Sequence, residues 1–335
     1  MITIVAKGGS AARDADAFMI KEADVPAPAG LDILVAVQAI SVNPVDTKVR
    51  SRTPAGTGVV LGWDACGVVE AAGPSATRFK PGDRVYYAGA LTRPGTNAEF
   101  HLVDERLAGA APRTLSAAEA AAMPLTTVTA YEALFDRLGF IAEPGANAGR
   151  SLLIVGGAGG VGSMAVQLAA WAGIDTVATA SRPDTVEWCK SLGAKRVADH
   201  RQPLAQTARE AGMQSADAIF CTTHMETHWE QMAEILSPQG AVALIDDPSG
   251  PLDITVFKRK CARICWEFMF TRSLFATPDM ARQGQMLDQV AGLVDAGAVR
   301  STLRETLTGL TPENIRDAHV RQESASMIGK QVIVL

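Results

Sequence analysis

No two of the five cysteines (Cys66, Cys189, Cys221, Cys261, Cys265) stand in a Cys-x-x-Cys pair, and their spacing forms no disulfide-like framework. Free, buried thiols in a reducing compartment are the expectation, and with them a cytoplasmic location. The chain also has no uninterrupted block of five or more Lys and Arg, and its net charge is −5. Both features argue against a nucleic-acid surface. Internal repeats and low-complexity segments are missing as well. The first residues, Met-Ile-Thr-Ile-Val-Ala-Lys, read as a strand rather than a signal peptide.

One stretch lacks charge altogether. Residues 151–174 contain none over 24 positions, which is long enough to cross a bilayer. Five of the seven residues from Gly156 to Gly162 are glycine, however, and the punctuation is strand, turn, helix. A buried parallel strand and its helix account for the stretch, so no membrane association is expected.

What the stretch does contain is Gly157-x-Gly159-x-x-Gly162 between an apolar strand (Leu152 to Val155) and an Ala-rich helix, followed by a second apolar strand (Thr176 to Ala180). That order is the dinucleotide-binding βαβ unit. Its glycines serve a tight turn, a close backbone approach to a diphosphate, and close helix–strand packing. The N–H groups at Gly159, Gly160, Val161 and Gly162 would then hold the diphosphate at the positive end of the helix. At the end of the second strand an NAD site places Asp or Glu on the ribose 2′-OH. Here Ser181 and Arg182 stand there, with no acid before Asp184. A hydroxyl and a forked guanidinium suit a 2′-phosphate, so NADPH is the expected cofactor.

The texture changes along the 335 residues, a length that suits two domains. Strands at Thr3–Ala6, Ile33–Ile40, Gly67–Ala71 and Arg84–Tyr87, separated by Gly and Pro turns without helices, suggest a partly closed β-barrel. Ser116-Ala-Ala-Glu119 has the spacing of a helix capping box. After Ser151 strands alternate with helices (strand Ala216–Cys221, helix Trp229–Leu236, strand Ala241–Ile245), as in a doubly wound parallel sheet. Helix Leu287–Val294 and a final strand Gln331–Leu335 return to the first domain. The fold class expected is α/β, with the first domain over 1–125 and 266–335 and the dinucleotide domain over 126–265.

Six segments in order resemble the medium-chain dehydrogenase/reductase superfamily, and within it the zinc-free quinone oxidoreductase branch. They are Ser41-Val-Asn-Pro-Val-Asp-Thr-Lys48, Gly62-Trp-Asp-Ala-Cys-Gly-Val-Val69, Pro81-Gly-Asp-Arg-Val85, Leu125-Thr-Thr-Val-Thr-Ala130, the glycine loop, and Trp266-Glu-Phe-Met-Phe-Thr-Arg272. The resemblance implies a GroES-like catalytic domain, a Rossmann domain inserted into it, and a homodimer built by pairing Rossmann sheet edges. It also places Thr127 beside the nicotinamide and Phe268 to Phe270 against the carboxamide. From its place after the next strand His200 is expected within reach of the 2′-phosphate, and Lys330 is expected to approach the cofactor from the C-terminal segment.

Departures from the zinc-dependent members matter equally. The segment that would hold the first metal ligand, Val42-Asn43-Pro44-Val45-Asp46, has no thiol. Gly62-Trp63-Asp64 replaces Gly-His-Glu, and Thr126-Thr127 stands at the third position. A catalytic zinc needs three ligands from His, Cys and carboxylate, so no metal is expected. His224 and His228 at i and i+4, with Glu226 between, lack a third ligand and suit a solvated helix end.

Without a Lewis acid, hydride transfer is easiest to a conjugated acceptor, whose charge spreads over an enolate or hydroquinone anion. The expected activity is NADPH-dependent reduction of a quinone or α,β-unsaturated carbonyl. Asn43 offers an amide to the substrate carbonyl or the nicotinamide ribose, and it equally suits a turn. Asp46 lies on the same side, Trp63 offers an apolar wall, and Lys48 an oxyanion contact. The proton is expected from water, with Tyr86 or Tyr87 as outside candidates. Two rivals stay open: a reductase of enoyl thioesters or other enones, and an NADPH-binding protein with a structural or regulatory role.

Overall fold

The computed structural model describes residues 1–335, and the chain divides into two compact units: 1–128 with 270–335, and 129–269. The first unit opens with β1 (Ile2–Lys7), β2 (Phe18–Glu22), β3 (Asp32–Ser41), α1 (Pro44–Arg52), β4 (Gly58–Val60), β5 (Asp64–Ala72), β6 (Arg84–Tyr87), β7 (Phe100–Asp104), β8 (Ala108–Ala110) and α2 (Ala117–Ala121). Ser116 caps α2 as expected: its hydroxyl accepts from Glu119 N, and the Glu119 carboxylate accepts from Ser116 N at 2.9 Å. Helix α3 (Pro124–Tyr131) then leads into the second unit, ending in a π-helical turn over Glu132–Arg137.

The second unit holds β9 (Ser151–Val155), α4 (Gly160–Trp171), β10 (Asp175–Thr179), α5 (Pro183–Ser191), β11 (Arg196–Ala198), α6 (Leu204–Glu210), β12 (Ala216–Cys221), α7 (Met225–Ile235), β13 (Leu236–Leu244) and β14 (Arg263–Trp266). Its six strands are all parallel, in the order β11-β10-β9-β12-β13-β14. This is the doubly wound order, reversing direction at central β9. Leu152 to Val155 are buried because β9 is paired on both edges and covered on both faces. Helix α4 is buried along Gly162–Ala169, which explains the charge-free stretch. At 12 residues it is about 18 Å long, and no helix of the structure is long and apolar enough to cross a membrane.

The chain returns to the first unit with α8 (Thr271–Leu274), α9 (Arg282–Asp295), β15 (Leu303–Thr308), α10 (Pro312–Glu323) and β16 (Lys330–Val334). That unit contains a three-stranded sheet, β2-β1-β4, and a larger one, β15-β16-β3-β5-β6-β8, with β7 also paired to β3. The last strand sits beside β3, so a residue near the C-terminus can meet one near position 43.

Three expectations about side chains need correction. Cys66, Cys189 and Cys221 are buried, but Cys261 is exposed and Cys265 half-buried. Tyr86 and Tyr87 are both 0% exposed. Tyr86 donates to Leu287 O at 2.7 Å, Tyr87 meets His101 Nδ1 at 3.2 Å, and burial pushes both phenols well above their usual range. Neither phenol can deliver a proton to a substrate.

Candidate active site

In the second unit the glycine loop joins β9 to α4. The one left-handed residue of its turn is Gly156 (φ +88°), ahead of the consensus glycines. Its N–H donates to Thr179 Oγ1 at 2.9 Å, and Gly157 N donates to Thr179 O at 3.0 Å. A Cβ on Gly157 would meet Ala178 Cβ at 2.8 Å, and one on Gly162 would run into Gly156 O. These two glycines therefore serve packing. Gly159 faces open space, with only Gly156 O at 3.8 Å from such a Cβ. Gly159 is the N-cap of α4, and its carbonyl accepts from Ser163 N at 2.8 Å. The N–H groups of Gly160, Val161 and Gly162 precede that first intrahelical bond, and no side chain caps them. Free N–H groups beside an open glycine fit a dinucleotide diphosphate.

At the end of β10 the structure places Ser181 half-buried and Arg182 exposed at the N-cap of α5. Arg182 Nε lies 3.4 Å from Asp184 Oδ1, so the first acid after the strand partly offsets its charge. His200 follows β11, and its Nδ1 is 3.1 Å from Thr179 Oγ1, the hydroxyl that also takes the Gly156 N–H. Burial lowers the His200 pKa. Asp199 opposes this, while His224, Arg201 and Arg182 add to it. Phe268 is exposed, just after edge strand β14.

In the first unit, β3, α1, β5 and β16 bring four expected or neighbouring residues together. Asn43 caps α1 and is 1% exposed, while Asp46 and Asp64 are 0% exposed. Asp46 Oδ2 accepts from Asn43 N at 2.8 Å. Asp64 Oδ1 accepts from Leu125 N at 2.7 Å, and its Oδ2 accepts from Asn43 Nδ2 at 2.8 Å and Lys330 Nζ at 3.2 Å. Lys330 also donates to Val42 O at 2.9 Å and to Asn43 Oδ1. Two carboxylates thus face one ammonium out of water.

The proton balance follows from the partners. Burial raises both carboxyls and lowers Lys330. Asp64 accepts three hydrogen bonds, each favouring its charged form. Asp46 is pushed up to about 7 by burial, despite the Asn43 N–H, and its Oδ1 has no partner. Asp64 is therefore the ionised partner of Lys330, and Asp46 is the carboxyl that takes a proton.

Two sequence expectations are corrected here. Both Asn43 amide donors and its carbonyl are committed, to Ser41 O, Asp64 and Lys330, so Asn43 has no free donor for a substrate. Lys330 has no donor left for a cofactor, because all three of its N–H groups are taken inside the cluster. Lys48 is half-buried on α1. Trp63 is 2% exposed, donates Nε1 to Ala90 O at 3.2 Å and meets the buried Phe270 ring edge-on at 6.4 Å. It is a wall of the interior. Thr127 is 0% exposed, and its Oγ1 has no hydrogen-bond partner, an orphaned group that a ligand could satisfy. The Asp64–Lys330 pair was missed. Its only trace in the sequence is a Lys opening the final strand, ahead of the apolar run Val332-Ile333-Val334.

Comparison with known proteins gives the class. The zinc-binding dehydrogenase family matches residues 160–283, and the alcohol dehydrogenase GroES-like domain matches residues 29–129. A zinc-type alcohol dehydrogenase-like protein of Staphylococcus aureus is 42% identical over 316 residues, 94% of each chain. A chloroplastic quinone-oxidoreductase homolog of Spinacia oleracea is 31% identical over 250 residues, covering 73% of this chain and 74% of its own. A 2-methylene-furan-3-one reductase of Solanum lycopersicum is 40% identical over 179 residues, covering 50% of this chain and 44% of its own. Among solved structures, a putative zinc-dependent alcohol dehydrogenase from Rhizobium etli has a TM-score of 0.95 at 50% identity, covering 100% of this chain and 98% of its own. The Escherichia coli quinone oxidoreductase, solved with NADPH, shares the fold, with a TM-score of 0.82 at 20% identity and all of both chains covered.

The chain belongs to the medium-chain dehydrogenase/reductase superfamily and is an oxidoreductase of that class. The family name implies zinc, but the residues do not fit it. Asn43, Trp63 and Thr127 offer no thiolate or imidazole, and Asp64 is committed to Lys330. No group of three or more His, Cys, Asp or Glu is placed to hold a metal ion.

Proposed function

We propose that this oxidoreductase uses NADPH to reduce a quinone or an α,β-unsaturated carbonyl without a metal. The observation that carries the reading is the end of β10, where Ser181 and Arg182 stand in place of a ribose-binding carboxylate, with His200 tied to the same turn. A hydroxyl, a guanidinium and an imidazole suit a phosphate dianion, whereas a carboxylate would repel it.

NADPH, when bound, supplies the hydride. The diphosphate rests on the N–H groups of Gly160, Val161 and Gly162, approached past Gly159. Ser181, Arg182 and His200 hold the 2′-phosphate. Thr127, with its unpartnered hydroxyl, and Phe268 and Phe270 flank the nicotinamide end. Asn43, Asp46, Asp64 and Lys330 are positioning residues, since each is at most 3% exposed. Their network fixes the start of α1 and, through Leu125 N, the start of α3, which carries Thr127. Trp63 backs Phe270. Charge arriving on a conjugated acceptor is delocalised, and water supplies the proton.

The tomato and spinach relatives, named for an enone and a quinone, favour a small conjugated substrate and keep an enone or enoyl-thioester reductase open. A homodimer would form through β14, whose outer edge has no strand partner and whose Trp266 is 53% exposed. A cytoplasmic setting suits its thiols. The test is turnover on three acceptors with a chelator present: a 1,4-quinone, a simple enone and a saturated ketone. Chelator-insensitive reduction of the first two, with none of the ketone, is expected. Chelator-sensitive ketone reduction would overturn the metal-free reading. Binding of NADPH with no turnover on any acceptor would favour a structural or regulatory role.

A further inference from the structure

Two histidines of the second unit approach the glycine turn from different elements, and a third lies beside them on α7. His200 reaches it through Thr179, whose hydroxyl also takes the Gly156 N–H. His224 reaches it from the other side. The loop after β12 packs on the turn so closely that a Cβ on Gly156 would run into Thr222 Oγ1 and come within 3.0 Å of Thr223 Cγ2. Thr222 Oγ1 donates to Val155 O at 2.8 Å, and Thr223 Oγ1 lies 2.7 Å from His224 Nδ1. His224 is held in the left-handed region (φ +51°) at the N-cap of α7, a conformation that costs a non-glycine residue energy and clusters at functional positions. His228, one turn further along α7, is 6% exposed.

Strands β10 and β12 flank β9, so Thr179, which holds His200, and the Thr222–His224 segment just after β12 stand at the carboxyl ends of the strands where the sheet order reverses. That crevice is where an open α/β sheet binds its ligand. We propose that His200, with His224 and His228 beside it, is a specificity-determining residue that selects a cofactor carrying a 2′-phosphate by taking up a proton as the phosphate binds. The proposal rests on the NADPH reading and adds to it a coupling between pH and cofactor choice.

The charges around the histidines are of both signs. His200 faces Asp199 and Arg201 on its own loop, Arg182 at the start of α5, and His224 at the start of α7. His228 faces His200 and His224. Burial lowers the pKa of both His200 and His228; mutual repulsion adds to it, against Asp199 in the case of His200, so both are held neutral near pH 7. The nearby acids each have another partner, although Asp199 also faces His200 and Glu226 also faces His224. Asp199 is paired with Arg201, Asp184 with Arg182, and Glu226 takes the Ser249 N–H. A phosphate dianion placed among the imidazoles reverses the balance, because an opposite charge nearby favours the protonated ring. A ribose hydroxyl does not.

Calorimetric titration of the full chain with NADPH, NADH and adenosine 2′,5′-bisphosphate, from pH 6 to 8 in two buffers of different ionisation enthalpy, tests this. NADPH and the bisphosphate are expected to bind with net proton uptake, and NADH with none. The NADPH-to-NADH affinity ratio should rise several-fold between pH 8 and 6, within the tenfold-per-unit limit of one linked proton. His200→Gln and His224→Gln should flatten that rise to what the phosphate's own titration supplies. An equal slope in native protein and both variants, or equal proton uptake with NADH, overturns the proposal while leaving NADPH preference intact. Equal affinity for the two cofactors at every pH overturns the NADPH reading, and this proposal with it. Native protein titrated with the bisphosphate decides the matter even if a variant fails to fold.

Discussion

Lys330 donates to Asp64 at 3.2 Å across 266 positions of sequence, with the two side chains 4% and 0% exposed. The pair ties the final strand to the start of β5, and Asp64 in turn holds the first turn of α3. Removing one member of a buried ion pair leaves the other unpaired and uncompensated, at a cost of about 3–5 kcal/mol. Lys330→Met should therefore destabilise the protein by roughly that amount in denaturant melts. The double variant Lys330→Met with Asp64→Asn should recover more than half of the loss. No recovery would mean the lysine matters only for its packing.

Asp46 gives a pH dependence of defined sign. Its folded pKa, about 7, lies above the ordinary 3.8. The folded state therefore holds a proton that the unfolded chain gives up between pH 4 and 7, and stability falls as pH rises through that window. The full difference is worth at most about 4 kcal/mol. Asp46→Asn should be more stable than the native protein at pH 8, with the advantage vanishing near pH 4. Parallel melting curves at all pH values would contradict this.

His319 gives the opposite limb. It is 0% exposed, packs on Phe18 with ring centroids 4.9 Å apart, and has no partner for either ring nitrogen. Burial lowers its pKa to about 3 from 6.5. The neutral ring's contribution is complete above pH 6.5 and is lost as pH falls toward 3. His319→Leu should lose less stability between pH 6.5 and 4.5 than the native protein does. His101, lowered to about 4, titrates the same way and stays in both proteins. An unchanged acid limb would show that His319 finds a partner in solution.

The glycine loop separates folding from binding. Gly162→Ala drives a methyl into Gly156 O, so the melting temperature should fall by several degrees. Gly159→Ala meets nothing nearer than 3.8 Å, and its backbone (φ −69°) suits any residue. It should melt like the native protein while binding NADPH at least tenfold more weakly, measured by fluorescence titration. Native affinity in Gly159→Ala would place the diphosphate elsewhere.

The glycine loop and the doubly wound parallel sheet around it were legible because periodicity and turn chemistry are local signals. The Ser116–Glu119 cap was legible for the same reason. The role of each glycine was not. Gly156 makes the turn because the side chains of Thr179, at the end of β10, and Thr222, in the loop after β12, close on it. Asn43 was recognisable as a turn residue at a functional position. What consumes its amide is Asp64 and Lys330, and nothing in local spacing announces a contact across 287 residues. A lysine at the head of the final strand Lys330-Gln331-Val332-Ile333-Val334 was the only available sign. Cys261 shows the limit of composition: thiol counts suggest burial, but this one sits at an exposed left-handed turn.

The most direct measurement is the ratio of kcat/KM for NADPH to that for NADH with a 1,4-quinone, in the native protein and in Arg182→Ala, with chelator throughout. The account predicts a strong NADPH preference in the native protein that collapses at least tenfold in Arg182→Ala, through the NADPH term alone. A native preference for NADH, or a variant that loses both cofactors equally, would contradict it.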